Sequence, residues 1–74
     1  MKNGINEEML KRLRERYPQG VRVELTKMDD VQAPPIGTKG TVVSVDDIGT
    51  IHVMWDNGSS LGIVYGEDDC RKVQ

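Results

Sequence analysis

Only two side chains in this sequence have soft-metal or strongly nucleophilic chemistry, His52 and Cys70. Each is alone of its kind. Two ligands cannot complete the four-coordinate site of a structural zinc. Neither has a plausible catalytic constellation around it: the sequence offers one His, one Cys and no oriented third group within a pocket. No catalytic residue, metal or cofactor is therefore expected. Cys70 reads as a small core residue. The aspartate pairs Asp29-Asp30 and Asp46-Asp47 carry a second kind of chemistry. Brought to one side of a fold, they would form an acidic patch able to capture a Lys- or Arg-rich partner. Turn formation is the plainer role of each Asp, because its carboxylate bonds its own backbone. Their spacing lacks the alternating ligands and terminal Glu of a calcium loop.

The opposite charge is gathered near the start, at Lys11, Arg12, Arg14 and Arg16. Residues 1–20 hold five basic against three acidic side chains; residues 21–74 hold five against nine. A basic segment thus precedes an acidic domain. The whole chain carries a net charge of −2 and has a pI near 5.2, which disfavours nucleic-acid binding as the main activity. The acidic residues of the basic segment pair locally, as Glu8 with Arg12 and Lys11 with Glu15, so a solvated helix face is the simpler reading. Trp55 shares strand parity with Ile51 and Val53, which predicts burial rather than a stacking platform. Met54 points the other way, and Tyr65 follows the same hairpin, so these two are the apolar and aromatic positions expected outside. Pro34-Pro35 stiffens a long loop and would border the acidic patch. Asn57-Gly58-Ser59 matches a glycosylation sequon but reads here as a turn.

The elements that must position these residues follow from periodicity. Residues 6–16 read as a helix, with Asn6 as N-cap and Glu7 and Glu8 on the first turn, where the dipole favours negative charge. Ile5 and Leu10 are spaced as a hydrophobic staple. Met9, Leu10, Leu13 and Tyr17 form a narrow apolar stripe, and Pro18 ends the helix. The period then changes to alternation. Val21, Val23 and Leu25 mark a first strand, and Thr38 to Val45 a second, bent or bulged around Gly40 and Val42-Val43. Asp46 to Gly49 is a turn, and Thr50 to Trp55 a third strand. Asn57-Gly58 is a strong hairpin signal. Ser59 to Val64 is expected to return as a fourth strand. A tight turn over Tyr65 to Asp69 leads to a fifth, Cys70 to Val73.

The chain has 74 residues, three aromatic side chains and no Phe. That is one small domain with an aliphatic core and little room for a deep pocket. The fold class expected is mainly β: a small SH3-like five-stranded barrel, residues 21–74, with one N-terminal α-helix and turn, residues 1–20, packed on it. No apolar run follows Lys2, no stretch would span a membrane, and a lone cysteine excludes internal disulfides; a cytoplasmic monomer is expected.

Residues 34–60 carry the string Pro34-Pro35-Ile36-Gly37-Thr38-Lys39-Gly40-Thr41-Val42-Val43 and the hairpin Ile51-His52-Val53-Met54-Trp55-Asp56-Asn57-Gly58. With Tyr17-Pro18-x-Gly20 and Met28-Asp29-Asp30, this resembles the small bacterial and phage family known as domain of unknown function 4314. The resemblance covers nearly the whole chain from the helix onward and implies no assigned activity. The sequence departs from the family pattern after Leu61, where it is less apolar, which leaves the last strand boundaries open. More loosely, Gly37-x-x-Gly40-x-Val42 is similar to the glycine-led strand of KOW modules, which bind RNA and ribosomal or polymerase partners. The Val53-x-Trp55-Asp56-Asn57-Gly58 hairpin is similar to that of peptide-binding Mib-Herc2 domains. Both likenesses concern a single hairpin.

The function expected is that of a non-catalytic interaction module. It would bind a protein partner through the side formed by loop 29–37 and turn 46–49, with Asp29, Asp30, Pro34, Pro35, Asp46, Asp47, Met54 and Tyr65 as contact residues. The alternative is a KOW-like accessory nucleic-acid binder using Lys11, Arg12, Arg14 and Arg16.

Overall fold

The computed structural model describes residues 4–73. It contains one helix, α1 (Glu7–Arg16), and four strands, β1 (Arg22–Lys27), β2 (Lys39–Val45), β3 (Ile51–Trp55) and β4 (Asp69–Lys72). Asn6 caps α1 as expected: its side-chain oxygen accepts the Met9 amide at 2.8 Å, and Glu7 and Glu8 occupy the first turn. The helix ends at Tyr17, whose N–H donates to the Leu13 carbonyl.

The strands form one antiparallel sheet in the order β3-β2-β1-β4. Alternation places Val23 and Leu25 of β1, Val42 of β2, and Ile51, Val53 and Trp55 of β3 on the inner face, where all are buried. Tyr17 and Ile63 complete this core. Two bulges interrupt the ladders. In β2 the register moves from Val42 opposite Val53 to Ser44 opposite His52, so Val43 is the extra residue and turns outward. In β1 the register shifts between Leu25 and Lys27. The bulge expected around Gly40 and Val42-Val43 thus falls at Val43. Gly40 has a different role, set by close approach. A Cβ there would lie 2.6 Å from Val53 Cγ1, 2.8 Å from the Met54 carbonyl oxygen and 2.9 Å from the Trp55 ring.

The expected fourth strand over 59–64 is not formed, and the sheet is open with four strands rather than a five-stranded barrel. What remains is a single bridge between Ile51 and Ile63. The hairpin is joined at both ends, by Trp55 N–H to the Ser59 carbonyl and by reciprocal Ile51–Ile63 bonds. That register puts Leu61 opposite Val53. The Leu61 carbonyl instead accepts the Trp55 indole N–H at 2.7 Å. Satisfying the buried indole therefore diverts the carbonyl that a regular ladder would use. After Ile63 the chain makes a turn held by Glu67 and Asp68 N–H to the Val64 carbonyl, and the last strand begins at Asp69, one residue earlier than expected.

No residue of α1 is fully buried. Of the stripe Met9, Leu10, Leu13 and Tyr17, only Leu13 and Tyr17 pack against the core. Met9 is exposed, and its sulfur accepts the Tyr65 hydroxyl at 3.5 Å. Leu10 is half-buried in a groove on the helix surface itself, with Glu7, Lys11, Arg14 and Glu15. Polar contacts hold the helix as well: Arg14 donates to the Val45 carbonyl at 3.3 Å and to Asp47 Oδ1 at 2.7 Å. Among the described residues, no helix is long and apolar enough to cross a membrane.

Candidate functional site

The connection from β1 to β2 is built from turns. Asp30 Oδ1 accepts the Gln32 amide at 2.7 Å, and the Ala33 amide donates to the Asp30 carbonyl. This Asx turn carries a fully exposed Val31 at its tip. A second turn, Pro35 to Thr38, is closed by the Thr38 amide and hydroxyl, both donating to the Pro35 carbonyl. Ile36 is exposed there. Asp29 and Asp30 face a groove of about 240 Å³ whose other walls are Glu67 and Asp68, with Met28, Leu61 and Val64 supplying apolar surface. Thr50, immediately after turn 46–49, and Gly62 close it. Asp68 uses one carboxylate oxygen to accept the Val64 amide at 2.9 Å.

The other expected aspartates have partners within the chain, although the Asp47 side chain stays almost fully exposed. Asp46 Oδ1 accepts the amides of Ile48 and Thr50, at 3.1 and 2.9 Å, and Oδ2 lies 2.9 Å from His52 Nε2. Burial pushes the Asp46 carboxyl up, but the bonds from His52, Thr50 and Ile48 together outweigh it and hold it below its ordinary value. Asp47 pairs with Arg14. The acidic turn and the basic helix, proposed above as rival contact surfaces, thus neutralise each other in part. Arg12 pairs with Glu8, and the Arg16 guanidinium sits 5.6 Å from the centre of the Tyr17 ring. Lys11 lies in the helix-surface groove beside Glu7 and Glu15.

Pro34 is buried, so it shapes the loop from inside rather than meeting a partner; Pro35 is exposed. Met54 is exposed on the outer face of β3, and Tyr65 is half-buried beside Met9. Trp55 is 1% exposed, which removes it as a stacking platform.

His52 is also the cross-strand partner of Ser44, which sets Ser44, His52 and Asp46 on neighbouring positions of one surface. Among the described residues no hydrogen bond joins Ser44 to His52, and Ser44 borders a shallow groove of about 280 Å³ with Arg14, Tyr17, Gln19 and Val45. Among the described residues no group of three or more His, Cys, Asp or Glu could hold a metal ion. Cys70 and Tyr17 line an apolar cleft of about 400 Å³ between α1 and the inner face, with Leu13, Ile51, Ile63 and Tyr65. Burial raises the Cys70 thiol, opposed by its bond with Tyr17 and aided by the charge of Asp69; burial and the neighbouring thiol raise the Tyr17 phenol. Burial of this kind disfavours the thiolate, the nucleophilic form of the side chain.

Sequence reasoning missed the Arg14–Asp47 and Asp46–His52 pairs and the contribution of Glu67 and Asp68. The Asp-x-x-Gly turn signalled the Asx bonds of Asp46, but its reach to His52 depends on the Val43 bulge. The other contacts depend on tertiary placement alone. No curated protein and no solved structure matches this chain. The resemblance carried by the Pro34–Ser60 string is confirmed, because the family model described as domain of unknown function (DUF4314) matches residues 6–73. With nearly every residue covered, the chain belongs to the DUF4314 family.

Proposed function

We propose that this protein is a non-catalytic binding module, an open relative of the SH3-like barrels, that captures a protein segment bearing a lysine or arginine. The contact surface is the side carrying loop 29–37 and turn 46–49. The observation that carries the reading is the groove in which Asp29 and Asp30 face Glu67 and Asp68 over Met28, Leu61 and Val64. A cationic head would meet the carboxylates while its aliphatic stem lay along the apolar residues. Asp46 and Asp47 support this surface from within, by fixing the turn and tying it to α1.

The SH3-like reading is supported by the order of neighbours, segment 59–64, β3, β2, β1, β4, and by a long first connection, a short second one and a tight hairpin. A reducing cytoplasm suits the single unpaired thiol.

The test is capture from a nuclease-treated lysate, followed by binding of arrayed basic peptides, comparing wild type with Asp29→Lys/Asp30→Lys and with Arg12→Glu/Arg16→Glu. Reversal at the groove should weaken binding by about tenfold or more, while reversal on the helix should leave it unchanged. Loss of capture on nuclease treatment, or an effect confined to the helix variant, would refute the reading in favour of nucleic acid.

A further inference from the structure

β4 is the edge of the sheet, with β1 on one side and, among the described residues, no strand on the other. The Val73 amide donates to the Arg22 carbonyl at 2.9 Å, so Val73 and Arg71 direct their backbone groups toward β1. By alternation, Cys70 and Lys72 direct theirs outward. Among the described residues no backbone bond outside the sheet reaches either. Such an edge is a template for another strand.

The charges on the outer face say which strand fits. Across the sheet, Lys39 stands opposite Glu24, and Glu24 opposite Arg71, with Arg71 Nη2 2.9 Å from Glu24 Oε1. Asp69 stands opposite Lys27. A two-fold axis perpendicular to an antiparallel sheet relates residues of like parity. Centred on Cys70, it places Asp69 opposite Arg71 of the second copy, and Lys72 opposite Asp68. The row then reads Lys39, Glu24, Arg71, then Asp69 and Lys27 of the second copy, with the sign alternating at every step. Cys70 pairs with its own equivalent through two backbone bonds. The pairing is self-complementary, as an isologous contact requires. Moving the axis to Arg71 would set two arginines face to face, so charge selects the first register.

We propose that the β4 edge pairs with the β4 edge of a second copy of this chain, with Cys70 on the two-fold axis, to give a continuous sheet. Four residues per edge make this a weak contact, so the expectation of a monomer holds only in dilute solution. The partner groove around Asp29 and Asp30 adjoins this edge, because Asp68 is both a wall of the groove and the residue opposite Lys72 of the second copy.

Sedimentation equilibrium under reducing conditions, from micromolar to millimolar protein, tests the proposal. Wild type should dimerise with a dissociation constant of roughly 0.1–1 mM. Asp69→Arg and Arg71→Asp, each setting like charges opposite one another, should weaken the dimer about tenfold or more, and the double swap Asp69→Arg/Arg71→Asp should recover part of that loss, held below wild type by the like charges it sets against Glu24 and Lys27 within each copy. Lys72→Pro removes an outward amide that the monomer does not use and should abolish dimerisation while leaving the circular dichroism spectrum intact. Amide exchange at Cys70 and Lys72 should slow as concentration rises. A wild type that stays monomeric at millimolar concentration overturns the proposal. So does a dimer insensitive to all four variants, or one whose concentration-dependent protection falls at Val31, Ile36 or Met54 instead.

Discussion

Gly40→Ala tests how closely β2 and β3 are packed. In an ordinary strand, replacing Gly by Ala stabilises by about 0.5–1 kcal/mol through lost backbone freedom in the unfolded chain. Here the added methyl would lie 2.6 Å from Val53 Cγ1, 2.8 Å from the Met54 carbonyl oxygen and 2.9 Å from Trp55 Cε3. A side chain could rotate away. The carbonyl cannot, because it belongs to the strand paired with β2. Relief requires β2 and β3 to move apart, beneath the largest side chain of the core. Overpacking of this kind costs about 1–3 kcal/mol, with the upper end expected against backbone. Net of the entropic gain, a loss of about 2 kcal/mol follows. A domain this size has a stability of roughly 4–11 kcal/mol, so the loss is a large fraction of it and should lower the melting temperature by about 10 °C. Urea denaturation followed by fluorescence of Trp55, the single tryptophan, measures it. Ser44→Ala, exposed on the same strand, serves as control and should change stability by less than about 0.5 kcal/mol. A Gly40→Ala midpoint equal to or above wild type, with an unchanged slope, would refute the argument from close approach.

Two other perturbations address the hairpin and the turn. Trp55→Phe keeps most of the buried apolar volume but leaves the Leu61 carbonyl without its donor, so unfolding by urea should show a loss of about 1–3 kcal/mol; a change under about 0.5 kcal/mol would mean that the carbonyl finds another partner. Asp46→Asn keeps the oxygen that accepts from Ile48 and Thr50 but removes the charge facing His52. Because the folded Asp46 carboxyl is held below its ordinary value, the unfolded chain binds the proton more readily. The stability it contributes is therefore present above the unfolded carboxylate pKa and lost as pH falls through the folded one. Wild type should lose urea resistance over that acid window more steeply than Asp46→Asn, and parallel profiles would contradict the linkage.

The residues themselves determined the secondary structure wherever the signal was local. Asn6 and Pro18 bound the helix because a side-chain cap and a missing amide act within a turn. Ile51, Val53 and Trp55 declared the inner face of β3, because alternation needs no knowledge of the neighbouring strand. The family was legible too, since its string of residues lies in one continuous stretch. The strand expected over 59–64 was a different matter. Its alternation was adequate, but a buried indole needs an acceptor, and the carbonyl within reach was that of Leu61. Only the packed structure reveals that competition. The candidate surface shows the same division. Aspartates at 29, 30, 46 and 47 were visible as charges, yet which of them stay available depended on side chains remote in sequence. Arg14 meets Asp47 across 33 positions, and the Val43 bulge brings His52 to Asp46. Glu67 and Asp68 reach the groove of Asp29 and Asp30 only because the chain turns back after Ile63. Charge is a property of the residue, but its availability is decided by the neighbours that folding supplies.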